Sequence, residues 1–145
     1  FDDTNLTAIA KLVLREGCLG ETVASLEALA VAEVTTEPSV RRALTRIARD
    51  ELRHAELAFQ FLRWVVTGGP AEVHEELSRE AEQRLREFES AAELGAPEHE
   101  RCDDRLAAHG LIAEGARRAI HLAAARDVVR PLLTALFEVE AASVA

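Results

Sequence analysis

From about residue 5 to residue 67 the chain is built from helix-favouring residues with one interruption, Thr35-Thr36-Glu37-Pro38. A first helix, capped by Thr4 or Asn5, runs without proline to about Val34, close to the thirty residues that make a helix roughly 45 Å long. Thr36 or Glu37 then precedes Pro38, which suits the first turn of a new helix because its missing N–H would have no partner there. The second helix reaches about Thr67. With so few residues between them, the two must fold back on each other as an antiparallel hairpin.

The rest of the chain is punctuated in the same way. Gly68-Gly69-Pro70 closes the second helix and opens a polar helix over 70–94, which Gly95-Ala96-Pro97 ends. A charged linker over 98–104 follows, then a turn of helix over 105–108, a break at Gly110, and a last helix over 113–138 that Pro131 should kink. The reading is therefore one all-α domain over 1–145, with a helix hairpin over 4–66 and two further helices around it. Composition agrees: Ala, Leu, Glu and Arg dominate, Gly and Pro number 7 and 4, and Tyr and Met are absent. Those dominant residues lose least on entering a helix.

Charge narrows the partners. The 26 acidic and 17 basic residues give a net charge of −9, which repels both nucleic acid and anionic membrane, and neither is expected as a partner. Charges interrupt every apolar run before the roughly 18–20 residues needed to span a bilayer. Two cysteines, Cys18 and Cys102, are too few for a disulfide framework, which points to a cytoplasmic, reducing compartment. Cys18 reads as a small buried filler. The start at Phe1-Asp2-Asp3, without an initiator Met, suggests a processed product or part of a longer chain.

A heptad template laid on the second helix selects Val40, Leu44, Ile47, Glu51, His54, Ala58, Phe61 and Val65. Six of these eight are apolar, so Glu51 and His54 are expected in the middle of the core-facing stripe. A buried carboxylate must meet something positive or hydrogen-bonding, because an unpaired buried charge costs several kcal/mol. On the first helix the same template selects Thr7, Ala10, Leu14, Gly17, Glu21, Ala24, Ala28 and Val31. A hairpin folded about residue 36 brings residues 18–21 level with Glu51 and His54, so Glu21 should face them. Glu16 is the substitute if the first helix is rotated by about 100°.

Two carboxylates and an imidazole converging inside a helical bundle are a ligand set for iron or manganese. Glu21-Thr-Val-Ala on the first helix, followed by Ile47-Ala-Arg-Asp-Glu51-Leu-Arg-His54-Ala on the second, resembles the first-helix Glu and the Glu-x-x-His motif of ferritin-like proteins such as bacterioferritin and rubrerythrin. The resemblance covers about residues 4–66. It implies a ferritin-like bundle and a carboxylate-bridged di-iron or manganese centre with ferroxidase or oxidoreductase chemistry towards oxygen or peroxide. In that pattern Glu21 is a terminal or bridging ligand, Glu51 a bridging carboxylate and His54 a terminal nitrogen ligand.

The chain departs from the pattern in two respects: the spacing from Glu21 to Glu51 is a few residues shorter, which a shorter interhelical turn absorbs, and the ligand count is incomplete. A complete di-metal site uses two Glu-x-x-His pairs, yet of the five histidines only His54 has a Glu three residues earlier. The residues at that spacing before His74, His99, His109 and His121 are Ala71, Ala96, Leu106 and Arg118. Half a site is present, to be completed by a homodimer or by a further N-terminal hairpin of the same polypeptide. The alternatives are a mononuclear site of three protein ligands and a degenerate, metal-free ferritin-like domain used for assembly or protein binding. His121 reads as an ordinary surface or interface residue, Asp50 as a partner of Arg46, Arg49 or Arg53, and Phe59, Phe61 and Trp64 as core or helix packing.

Overall fold

A computed structural model of the chain describes residues 3–94 and 104–143, all in helices or the short turns between them. The charged linker over 98–104 lies outside the described residues except for Asp104, and so does Cys102. The first long helix is continuous from Asp3 to Val34 but changes character along its length: α1 (Asp3–Leu12), a nine-residue π-helical segment π1 (Val13–Glu21), and α2 (Thr22–Val34). α3 (Pro38–Gly68) follows after three residues. Its N-terminus is capped by Glu37, whose carboxylate accepts hydrogen bonds from the Ser39 backbone N–H and from Ser39 Oγ at 2.8 Å.

The remaining elements are α4 (Ala71–Glu93), α5 (Asp104–Ala108), and a last continuous helix made of α6 (Glu114–Ala123), a π segment π2 (Ala124–Val129) and α7 (Arg130–Ser143). Beside Pro131, where the sequence predicts a kink, the continuous helix carries the π2 segment. Proline offers no N–H to the carbonyl four residues back, and the helix accommodates this by widening, with the Arg130 N–H bonded five residues back to Ala125. The last helix also extends beyond the expected end at 138, to Ser143.

Polar ties set the directions of the rods. Lys11 pairs with Glu76, and at the opposite end Arg117 and His121 both pair with Glu27, so α4 runs parallel to the first helix and the last helix runs antiparallel to it. His74 packs edge-on against Phe137, which confirms that α4 and the last helix are antiparallel. His121 is thus half-buried and part of a network rather than an ordinary surface residue: its Nε2 lies 2.5 Å from Glu27, and its ring stacks on Phe88. The core runs along the line where these rods meet, through Leu14, Cys18, Leu62, Leu77, Leu85 and Val129.

The buried face of α3 is Ala48, Ala55, Ala58, Leu62, Val65 and Val66, not the stripe through Ile47 and His54. The hairpin closes on small side chains because the helices approach so closely, and this rotates the larger apolar residues outward. Trp64 is therefore 63% exposed, and Phe59 and Phe61 lie at the edge of the core rather than inside it. No helix among the described residues is long and apolar enough to cross a membrane.

Gly110 is the one described residue with positive φ, at +86°, and a Cβ there would sit 3.1 Å from Val40 Cγ1. It lets the chain turn tightly over the start of α3. Gly110→Ala is expected to cost about 1–2 kcal/mol in a urea melt, because αL strain and crowding against Val40 add.

Candidate metal centre

Glu21 ends π1, and Glu51 and His54 project from the middle of α3. Among the described residues they form the one group of three potential metal ligands, with one ligand atom from each lying within 4.8 Å of the others. His54 Nδ1 is 3.4 Å from Glu51 Oε2 and 3.7 Å from Glu21 Oε2. Glu16 is not brought in: it is exposed and bonded to Arg15 Nε at 2.8 Å. Asp50 reaches Arg53 at 3.7 Å.

The hairpin geometry explains the convergence. Gly17 permits contact between the two helices at this level, since a Cβ there would stand only 2.4 Å from Ala58 Cβ. About two turns later Ser25 Oγ donates to the Ala48 carbonyl at 2.8 Å, a buried tie from one helix to the other. Within π1 the backbone bonding is loosened, and Thr22 Oγ1 covers the Cys18 carbonyl at 2.7 Å. In a straight α-helix, the four-residue steps from Ala10 to Leu14, Cys18 and Thr22 would drift round the axis. The wider π turn keeps all four buried while Glu21 is swung to the edge.

Burial is where the site differs most from the sequence reading. The cluster lies on the outer side of the hairpin, with Glu21 and Glu51 about one-third exposed and the His54 side chain 61% exposed. An apolar trough of about 590 Å³, walled by Leu12, Val13, Gly17, Leu57, Ala58 and Phe61, opens beside Glu21 and His54. The residue after each ligand, Thr22, Leu52 and Ala55, faces the other way, into a second apolar groove of about 570 Å³ between α3 and the last helix. Sequence reasoning missed both hollows and the π segment. The closeness of Gly17, Cys18 and Gly20 to Glu21 was the only hint of either.

Electrostatically the cluster lacks a cation. Among the described residues neither Glu21 nor Glu51 has an Arg or Lys within 4 Å. The two carboxyls are coupled to each other instead: the hydrogen bond to Glu51 raises Glu21 above the usual carboxylate range, and accepting that bond lowers Glu51. Cys18, buried beneath this level, has its thiol pushed up to about 12 by desolvation. It should therefore resist iodoacetamide at pH 8 in the folded protein and react readily in urea; equal rates in both would contradict the packing.

No family model, curated protein or solved structure matches the chain.

Proposed function

We propose that Glu21, Glu51 and His54 hold a divalent metal, iron first and manganese second, as half of a carboxylate-bridged di-metal centre completed by a second helical hairpin. The supporting observation is the convergence of two carboxylates and an imidazole within 4.8 Å, where no Arg or Lys among the described residues neutralises them. The donors fit: oxygen and nitrogen ligands suit Fe and Mn, and a dication supplies the positive charge that offsets two adjacent carboxylates. Glu51 would be the bridging carboxylate of the pattern that the resemblance implies. Glu21 is a terminal or bridging carboxylate, and His54 offers Nδ1 as the nitrogen donor. When bound, such a pair of ions supplies oxidation of Fe(II) by oxygen or peroxide, the ferroxidase or oxidoreductase chemistry that the resemblance to bacterioferritin and rubrerythrin implies.

The chain's own residues govern protons. Metal binds the ionised form of Glu21, so affinity falls, and binding comes to release a proton, as pH drops into the raised range of that carboxyl. In the metal-free protein the sign is opposite for the two partners. The stability that Glu21 gains from holding its proton is present in acid and lost as pH rises through its raised pKa, whereas the contribution of Glu51 grows with pH. Calorimetric titration with Fe(II) in anaerobic buffers of different ionisation enthalpy measures the released proton directly. A pH-independent affinity would contradict this account.

A second reading has its own observation. His54 already touches both carboxylates at 3.4 and 3.7 Å, a contact that can hold the hairpin without an ion in a domain serving assembly. Elemental analysis after iron or manganese loading decides: no bound metal at neutral pH leaves this metal-free reading standing.

A further inference from the structure

One position round α3 from the stripe chosen on sequence lies another heptad series: Ala43, Ile47, Asp50, His54, Leu57, Phe61 and Trp64, spaced alternately four and three apart. All are exposed except Phe61, which is half-buried, and five of the seven are apolar. Leu57 and Trp64 are 65% and 63% exposed, and Ile47 is 47% exposed. An exposed apolar seam with 3.5-residue spacing over three heptads is the pattern that packs against another helix. Among the described residues it has no helix to pack against: α4 and the last helix meet the hairpin on other sides.

We infer that this seam is a two-fold interface with a second copy of the chain, the two α3 helices crossing antiparallel with His54 near the axis. The seam is self-complementary about that point. Ile47 lies seven residues before His54 and Phe61 seven after, so each copy's Ile47 meets the other's Phe61. Ala43 lies eleven before and Trp64 ten after, so the smallest side chain of the seam faces the largest. Apolar meets apolar at both levels, and the reciprocal pairing of one patch with itself is what an isologous interface requires. A hairpin face about 45 Å long and two helices wide offers on the order of 900 Å² per copy, enough for a standard dimer interface of roughly 800 Å² per partner.

The same axis brings two sets of Glu21, Glu51 and His54 together. Four carboxylates and two imidazoles are the donor count of a di-metal bundle site. This part rests on the metal reading proposed above; the seam itself does not.

The test is sedimentation equilibrium of the chain in EDTA and after Fe(II) loading, with the single Trp as reporter. The expected result is a dimer in both conditions, with Trp64 emission shifting to the blue as concentration rises. Trp64→Glu should weaken association by about 30-fold or more while leaving the helical signal and melting temperature of the monomer unchanged, since this side chain is exposed there. With Cys102 replaced by Ser, Ile47→Cys combined with Phe61→Cys should form a covalent dimer on mild oxidation that neither single variant forms. A monomer at all concentrations overturns the inference whether or not metal binds, and so does a monomer that associates only with a separate hairpin. A dimer whose double-cysteine variant fails to cross-link overturns the two-fold register. A cross-linked dimer that takes up no metal leaves the interface standing and removes the metal reading instead.

Discussion

Glu51→Ala is expected to lower iron or manganese affinity by about 100-fold or more, with uptake at micromolar metal falling to background in elemental analysis. Loss of an outer hydrogen-bond partner of a metal ligand already costs about 10- to 100-fold, and Glu51 is itself one of the three proposed donors rather than an outer partner. The fold should survive. Glu51 is on the rim, more than a quarter exposed, and takes no part in the buried face of α3. Its removal also leaves Glu21 without the partner that raises it, so the residual metal dependence on pH should move towards that of an ordinary carboxylate. Glu51→Gln separates the two effects, since it keeps the hydrogen-bonding shape and loses the charge. Undiminished metal uptake by both variants would leave the metal reading without support. Glu16→Ala is the matched control, because Glu16 is bonded to Arg15 outside the cluster and its loss should leave uptake unchanged.

Gly17→Ala should be the most damaging single methyl in the hairpin. Its Cβ would stand 2.4 Å from Ala58 Cβ, and both atoms are fixed by helical backbone, so neither can swing away. Forcing the helices apart costs about 3 kcal/mol at the upper end of overpacking, against a gain of about 1 kcal/mol from replacing helical Gly with Ala. The net loss of about 2 kcal/mol corresponds to a melting temperature lower by roughly 5–10 °C for a chain of this size. Gly20→Ala supplies the contrast: the nearest atom to its new Cβ is the Arg15 carbonyl oxygen at 3.5 Å, so propensity alone should act and stability should hold or rise. If Gly17→Ala melts no lower than Gly20→Ala, the close crossing of the two helices is wrong.

The hairpin could be read from local chemistry. A Pro that fits only a first turn and a glycine pair at 68–69 place the ends of α3 to within a residue, and counting outward from the turn brings Glu21 level with Glu51 and His54. Which side of the helices faces inward could not be read in the same way. Ala43 and Ala48 are identical in composition, yet Ala43 is exposed and Ala48 is buried. The difference lies in how closely the first helix approaches, set by Gly17 and Ser25 on the other strand of the hairpin. A 3.6-residue template carried straight through 13–21 also cannot register a π segment, because nothing in Val13-Leu-Arg-Glu-Gly-Cys-Leu-Gly-Glu21 forbids an ordinary helix. The Glu27–His121 pair joins residues 94 apart, and only tertiary packing brings them together.

The π segment holds a surplus of chain. A helix that widens over nine residues stores length that an ordinary helix of the same rise would not need, and Glu21 stands where that surplus ends. Deleting one residue from 13–20 would let the stretch tighten into an α-helix and turn everything before it by about 100° relative to Glu21 and α2. Ala10 and Leu14 would then leave the buried line they share with Thr22. In this hairpin one short length of chain sets both the level of the first ligand and the seating of the helix before it, so a single-codon deletion would cost both.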